Sequence, residues 1–222
     1  MMKKFALMVA GGSGSRMNAP VPKQFLLLNG KPVLMHTLQR FFDFDPLLEF
    51  IVVLPGDQIS VWEILCREYG FSIGHKRIEG GDTRFGSVWN GLNSIPDSEG
   101  IVFIHDGVRP LVSQATLQRC LETTQLKGNA LPVLPLVESV REVKGSKNFP
   151  ADRSRLYSVQ TPQVFRLEEI RAAYALGYDP AFTDDTMVLE RLGKTIHLVE
   201  GNRENIKITH AEDLFIAEAF LK

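Results

Sequence analysis

Cysteine is scarce. The 222-residue chain has two, Cys66 and Cys120, isolated from each other, without CxxC spacing or nearby histidine pairs, which argues against a structural zinc site or a disulfide framework. They read as two buried thiols in a reducing compartment, and the expected location is cytoplasmic. Net charge is also lacking: 26 acidic residues face 25 basic ones, leaving −1. Without a dense Lys/Arg run, nothing gathers nucleic acid or an anionic membrane. No apolar run approaches the roughly 18 residues that would span a bilayer. The opening Met1-Met2-Lys3-Lys4-Phe5-Ala6-Leu7-Met8-Val9 imitates a leader, but its apolar stretch stops at Gly11-Gly12, as a buried first strand would. Repeats and low-complexity tracts are absent. The expected ligand is therefore small.

What is present fits a chain with a continuous core: 44% hydrophobic and 23% charged residues, at a length α/β folds commonly reach as one domain. Phe5 to Val9 reads as a parallel strand covered on both faces. From Pro32, the spacing of Leu34, Thr37, Leu38 and Phe41 predicts an amphipathic helix. Phe50 to Leu54 reads as a second strand. Asp57 reads as the N-cap of a helix burying Trp62, Leu65, Cys66 and Tyr69. Gly86 to Leu92 then reads as helix and Ile101 to Ile104 as buried strand. Ser113 reads as the cap of a helix burying Leu117, Cys120 and Leu121. This alternation predicts a mostly parallel, Rossmann-like α/β sheet with helices on both faces. Residues 138–160 break the rhythm and read as an excursion, with Val140, Val143 and Tyr157 to Val159 strand-like. At the end, Thr209 and Glu212 have capping-box spacing ahead of a helix presenting Leu214, Ala217 and Leu221.

The first strand runs into Ala10-Gly11-Gly12-Ser13-Gly14-Ser15-Arg16-Met17, where missing side chains let backbone N–H groups approach phosphate. A Walker A loop would end Gly-Lys-Ser/Thr, but Gly14-Ser15-Arg16 stands there. A dinucleotide fingerprint counted from Gly12 would need Gly or Ala where Met17 sits. The distinguishing feature is the basic continuation, Arg16 and then Lys23 in Pro22-Lys23-Gln24. Two fixed cations with backbone donors suit a triphosphate, because charge builds on the equatorial oxygens during transfer.

Gly80-Gly81-Asp82-Thr83-Arg84 lies between a strand and a helix and is also explained by a plain turn with Asp82 as cap. His105-Asp106-Gly107-Val108-Arg109 puts a carboxylate and a guanidinium at a strand's carboxyl end, where α/β sheets bind ligands. A carboxylate there suits Mg²⁺, which takes few protein ligands. His105 reads as a packed, hydrogen-bonded neighbour.

These segments, with Gln160-Thr161-Pro162-Gln163, Thr183-Asp184-Asp185 and Asn205-Ile206-Lys207-Ile208-Thr209 following in order, resemble the cytidylyltransferases that act on 2-C-methyl-D-erythritol 4-phosphate in non-mevalonate isoprenoid synthesis. The resemblance implies that backbone amides of Ala10, Gly11, Gly12 and Gly14 cradle the triphosphate of CTP. It implies that Arg16, Lys23 and Lys207 stabilise the α-phosphate, and that Gly81, Asp82 and Ser87 read cytosine. On the same resemblance, Asp106 would orient substrate and Mg²⁺, while Arg109, Ser139, Arg153, Thr161 and Thr183 would hold the sugar-alcohol phosphate. It further implies a homodimer interlocked through the projecting arm, with Arg153 serving the neighbouring subunit. The chain departs from the family pattern at Val9-Ala10-Gly11-Gly12, Ser139 and Gly107-Val108. The Ala-Gly-Gly opening also resembles the sister family that makes CDP-ribitol from ribitol 5-phosphate. A catalytically silent nucleotide-binding protein is a further alternative.

Overall fold

Along Phe5-Ala6-Leu7-Met8, successive side chains point to opposite faces of a strand, and the core divides accordingly. Ala6 and Met8 join one apolar cluster, Phe5 and Leu7 the other, all four buried. The structure is a computed structural model that describes residues 2–11 and 21–221. The chain runs through β1 (Lys4–Val9), the short strands β2 (Leu27–Leu28) and β3 (Lys31–Pro32), α1 (Val33–Phe44), β4 (Glu49–Leu54), α2 (Ile59–Glu68) and β5 (His75–Glu79). Next come α3 (Arg84–Asn93), β6 (Ile101–Asp106), α4 (Gln114–Lys127), β7 (Asn129–Pro135), β8 (Arg141–Lys144), β9 (Lys147–Pro150) and β10 (Tyr157–Val159). The last elements are β11 (Gln163–Arg166), α5 (Leu167–Tyr174), α6 (Asp185–Glu190), β12 (Leu198–Glu200) and α7 (Glu212–Phe220).

The main sheet has the order β10-β7-β11-β6-β1-β4-β5, with β12 paired to β7. Pairings among β6, β1, β4 and β5 are parallel, and β11 inserts antiparallel between β6 and β7. Helices α1, α2 and α4 cover one face through Leu38, Trp62 and Leu117. Helices α3, α5 and α6 cover the other through Val88, Ile170 and Val188. The Rossmann-like α/β expectation is met, and all six residues of β6 are buried, as a central strand covered on both faces requires.

Several local expectations are corrected. Asp57 does not cap α2: it lies in a 3-10 turn, Gly56–Gln58, and Gln58 occupies the cap position without a side-chain bond. On α2 only Trp62 is fully buried, while Cys66 is half-buried and Tyr69 exposed, because α2 covers the edge-side strands. The cap of α3 is Thr83, whose hydroxyl accepts from Gly86 N, rather than Asp82. At α7 the Thr209–Glu212 box does not form. Asp213 Oδ2 instead accepts from Thr209 N, Thr209 Oγ1 and His210 N, so one carboxylate does the work expected of two side chains. Ser113 caps α4 as expected. A hairpin went unread in the sequence: Asn29 and Gly30 both have positive φ, 47° and 73°, as a two-residue type I′ turn between β2 and β3 demands.

The excursion at 138–160 contains the exposed β8–β9 hairpin, whose two strands pair only with each other. Its last strand-like run, β10, returns to the main sheet as an antiparallel neighbour of β7, so the projection proper is narrower than the sequence break.

Candidate functional site

The carboxyl ends of β1 and β6 lie side by side, Val9 opposite Asp106. Leaving β1, Ala10 N donates to Val53 O, holding the chain against β4 as it enters the glycine-rich segment. The Lys23–Phe25 turn is fastened at the same place: buried Gln24 donates to Ala10 O at 3.0 Å and to Gln58 Oε1 at 2.5 Å, and Phe25 stacks on Trp62. Two hydrogen bonds and an apolar anchor thus set Lys23 beside the end of β1.

Facing it, Gly80 N donates to Leu54 O as the chain leaves β5. Gly81 then passes close to the first turn of α3, where a Cβ would stand 3.0 Å from Gly86 backbone atoms, so only glycine fits without displacement. Ser87 is buried, and its hydroxyl exchanges hydrogen bonds with Gly81 N and O at 3.2 and 3.3 Å.

Lys207 arrives from the far end of the chain. Ile208 N donates to Val108 O, Arg109 Nη1 to Asn205 O, and Asn205 Nδ2 to Thr161 O, lacing residues 205–208 to the loop after β6 and to the β10–β11 connection. Lys207 Nζ then sits 2.9 Å from Asp106 Oδ2, with Arg109 Nε at 3.1 Å from the same oxygen and Arg84 Nε 3.9 Å from Oδ1. Burial alone would push the Asp106 carboxyl up, but these three cations outweigh it and hold the group well below the usual carboxylate range, ionised.

Behind Asp106, His105 is fully buried, and burial lowers its pKa to about 4, so the ring is neutral. Arg109 O can only accept, so ring Nε2 carries the proton, and Nδ1 accepts from the Thr161 hydroxyl at 3.0 Å. Thr161 Oγ1 in turn accepts from Asp106 N. The hydroxyl's one proton is committed to His105, so toward a ligand Thr161 offers a lone pair. This is the packed, hydrogen-bonded His105 expected from the sequence.

Two connected cavities result. The first, about 370 Å³, is lined by Ala10, Gly11, Lys23, Gln24, Gly81, Asp82, Thr83, Arg84, Ser87, Asp106 and Lys207, with Val9 and Val108. The second, about 270 Å³, is lined by Arg109, Thr161 and Thr183 with Val159, Gln160, Gln163 and Asp184, and shares Arg84, Asp106 and Lys207 with the first. Among the described residues, those expected to bind nucleotide therefore gather in one cavity, and three of those expected to bind the acceptor gather in the other. Ser139 and Arg153 reach neither: both are exposed on the excursion, and Arg153 donates to Val137 O. Gly12, Gly14 and Arg16 lie outside the described residues.

Sequence reasoning missed Gln24, Gln163 and the Arg84–Asp185 pair as parts of the site. Arg84 grips Asp185 through two hydrogen bonds of 2.7 and 2.6 Å, and Asp185 is fully buried. Their motifs were visible, but nothing in either segment announces that the other is its partner.

A doubly covered, mostly parallel sheet with a cation-lined cavity at its strand ends, where Ala10 and Gly11 open a sequence that is neither Walker A nor dinucleotide fingerprint, defines a Rossmann-like nucleotidyltransferase. Residues 5–222 match the family model for 2-C-methyl-D-erythritol 4-phosphate cytidylyltransferase, and the chain belongs to that family. It is 50% identical over 221 residues to the enzyme of that name from Porphyromonas gingivalis, covering 99% of this chain and 98% of the relative. The crystal structure of the Thermus thermophilus enzyme of the same name superposes with a TM-score of 0.81 at 32% identity, covering 99% of this chain and 98% of that one. That of 4-diphosphocytidyl-2C-methyl-D-erythritol synthase from Anaerococcus prevotii gives 0.84 at 27%, covering 99% and 96%.

Proposed function

We propose that this chain transfers CMP from CTP to 2-C-methyl-D-erythritol 4-phosphate, releasing pyrophosphate and giving 4-diphosphocytidyl-2-C-methyl-D-erythritol, in isoprenoid precursor synthesis. A phosphate oxygen of the acceptor attacks the α-phosphorus of CTP. The new P–O bond forms as the bond to pyrophosphate breaks, and the product carries the diphosphate link. Two anions must meet, and their repulsion in a low-dielectric cleft is the main barrier the protein has to lower.

The observation that carries the reading is the convergence of Lys23 and Lys207 on one cavity with Ala10, Gly11 and Asp106. Lys23 and Lys207, with Arg16, offset charge on the α-phosphate. Gly81, Asp82 and Ser87, which line the first cavity together, read the cytosine edge. Arg109, Thr161 and Thr183 hold the acceptor in the second cavity, joined by Ser139 and by Arg153 from the neighbouring subunit of a homodimer. The exposed arm supports that assembly, since Val143 and Phe149 are 70% and 47% exposed on it. Among the described residues no cluster of three or more acidic, His or Cys side chains forms a metal cage. A single ionised Asp106 still suits Mg²⁺, which is held mainly by phosphate oxygens. When bound, the ion would supply further neutralisation of the triphosphate.

The test is pyrophosphate release by purified protein with CTP and each of two acceptors. Rapid turnover of the methylerythritol phosphate is expected. Faster consumption of ribitol 5-phosphate would reassign the substrate, and tight CTP binding with neither acceptor consumed would favour a silent nucleotide-binding protein.

A further inference from the structure

We infer that Arg84 is a positioning residue for the transfer step, a strut that sets the nucleotide cavity and the acceptor cavity in one fixed relation. The inference rests on the cytidylyl-transfer reading above. Arg84 lines both cavities, as do only Asp106 and Lys207 among the described residues. It is the first residue of α3, directly after the Gly80-Gly81-Asp82-Thr83 turn, while its partner Asp185 is the first residue of α6, directly after Thr183-Asp184. One ion pair therefore ties the wall of the first cavity to the wall of the second.

The partner is held by two further side chains. Asp185 Oδ1 accepts from Tyr174 Oη at 2.6 Å, and Gln163 Oε1 accepts from both Asp185 N and Thr186 N at 3.0 Å. Tyr174 is itself buried and stacks against Phe85, the residue after Arg84. With both terminal nitrogens of the guanidinium taken by Asp185, its Nε edge is turned to within 3.9 Å of Asp106. The planar fork makes this dual engagement possible. A lysine ammonium at the same position carries the same charge but is a point, and it can satisfy Asp185 or approach Asp106, not both.

In-line attack between two separately bound anions needs the cavities aligned to a fraction of an ångström, and a misplacement near 1 Å costs on the order of a hundredfold in rate. Neither the cytosine-facing groups nor the acceptor-facing threonines depend on Arg84 for their own hydrogen bonds. Its loss is therefore expected to appear in turnover before it appears in nucleotide binding.

The experiment compares wild type, Arg84→Lys and Arg84→Ala by steady-state kinetics with CTP and the acceptor, by CTP calorimetry and by thermal melting. Arg84→Lys is expected to lower kcat by about tenfold to a hundredfold with CTP affinity changed less than about threefold. Added guanidinium ion, below denaturing concentration, is expected to recover part of the turnover of Arg84→Ala without raising its Tm. If Arg84→Lys turns over normally, or if CTP affinity and kcat fall together in step with Tm and guanidinium recovers nothing, Arg84 is a structural staple and the proposal is overturned. An inactive wild type overturns the transfer reading instead, and the positioning role with it.

Discussion

Lys207 Nζ lies 2.9 Å from Asp106 Oδ2, an ion pair between the end of a central strand and a segment near the end of the chain. Of the cations around this carboxylate, Lys207 lies nearest, and it also lines both cavities, so it can move from Asp106 to a substrate phosphate with little travel. The carboxylate holds the cation ready before substrate arrives.

Lys207→Ala and Lys23→Ala are each expected to lower kcat by at least about a hundredfold, the usual cost of removing one transition-state electrostatic donor. Stopped-assay pyrophosphate release measures this directly. Near-normal turnover of either variant removes that lysine from the chemistry.

Gln24→Ala tests the latch under the Lys23 turn. Gln24 is only 1% exposed and bonds Ala10 O and Gln58 Oε1, so truncation leaves buried groups without partners at a cost of about 1–3 kcal/mol. A lower Tm and a kcat reduced about tenfold or more are expected, since Lys23 loses its setting. A lowered Tm with unchanged kcat would mean that Phe25 on Trp62 suffices to seat the turn.

Stability should fall on mild acidification. Burial keeps His105 neutral with its pKa at about 4, against an ordinary 6.5. Between these values the unfolded chain takes a proton that the folded chain refuses, so folding weakens as pH falls through that window, by roughly 3 kcal/mol over its full width. Asp106 adds to this at lower pH: its depressed folded pKa contributes stability above the unfolded value of 3.8, lost as pH drops through the folded one. Tm recorded from pH 7 to 4 should decline steadily, and a flat profile would contradict a buried neutral His105.

Arg153 is exposed and lines neither cavity of its own subunit. If it completes a neighbour's site, Arg153→Ala should mainly raise the acceptor KM. Mixing Arg153→Ala with Lys23→Ala subunits then rebuilds one intact site per hybrid dimer, and at low acceptor concentration the mixture should exceed the sum of its parents. Absence of that gain after subunit exchange argues that Arg153 does not act across the interface.

Much of this was readable in advance where information is local. Phe5 to Val9 and Ile101 to Ile104 are continuous apolar runs, and a strand covered on both faces can look no other way. Ser113 capped its helix because a cap is decided within three residues. Local reading failed where neighbours compete: Asp57 lost to a 3-10 turn, and Asp213 displaced the Thr209–Glu212 box by taking three donors at once. The antiparallel β11 between β6 and β7 was unreadable, since its four residues, Gln163–Arg166, carry no pattern that names a partner strand.

By itself the sequence determined which chemistry was at hand: glycines that admit phosphate, cations that offset its charge, a carboxylate at a strand end. These are properties of residue types and short spacings, and they survive without coordinates. Only the tertiary structure decided that Lys207 meets Asp106, that Thr161 spends its proton on His105, and that Arg84 reaches across to Asp185. Such pairings depend on which strands lie side by side, and that is settled by the cooperative burial of the whole sheet.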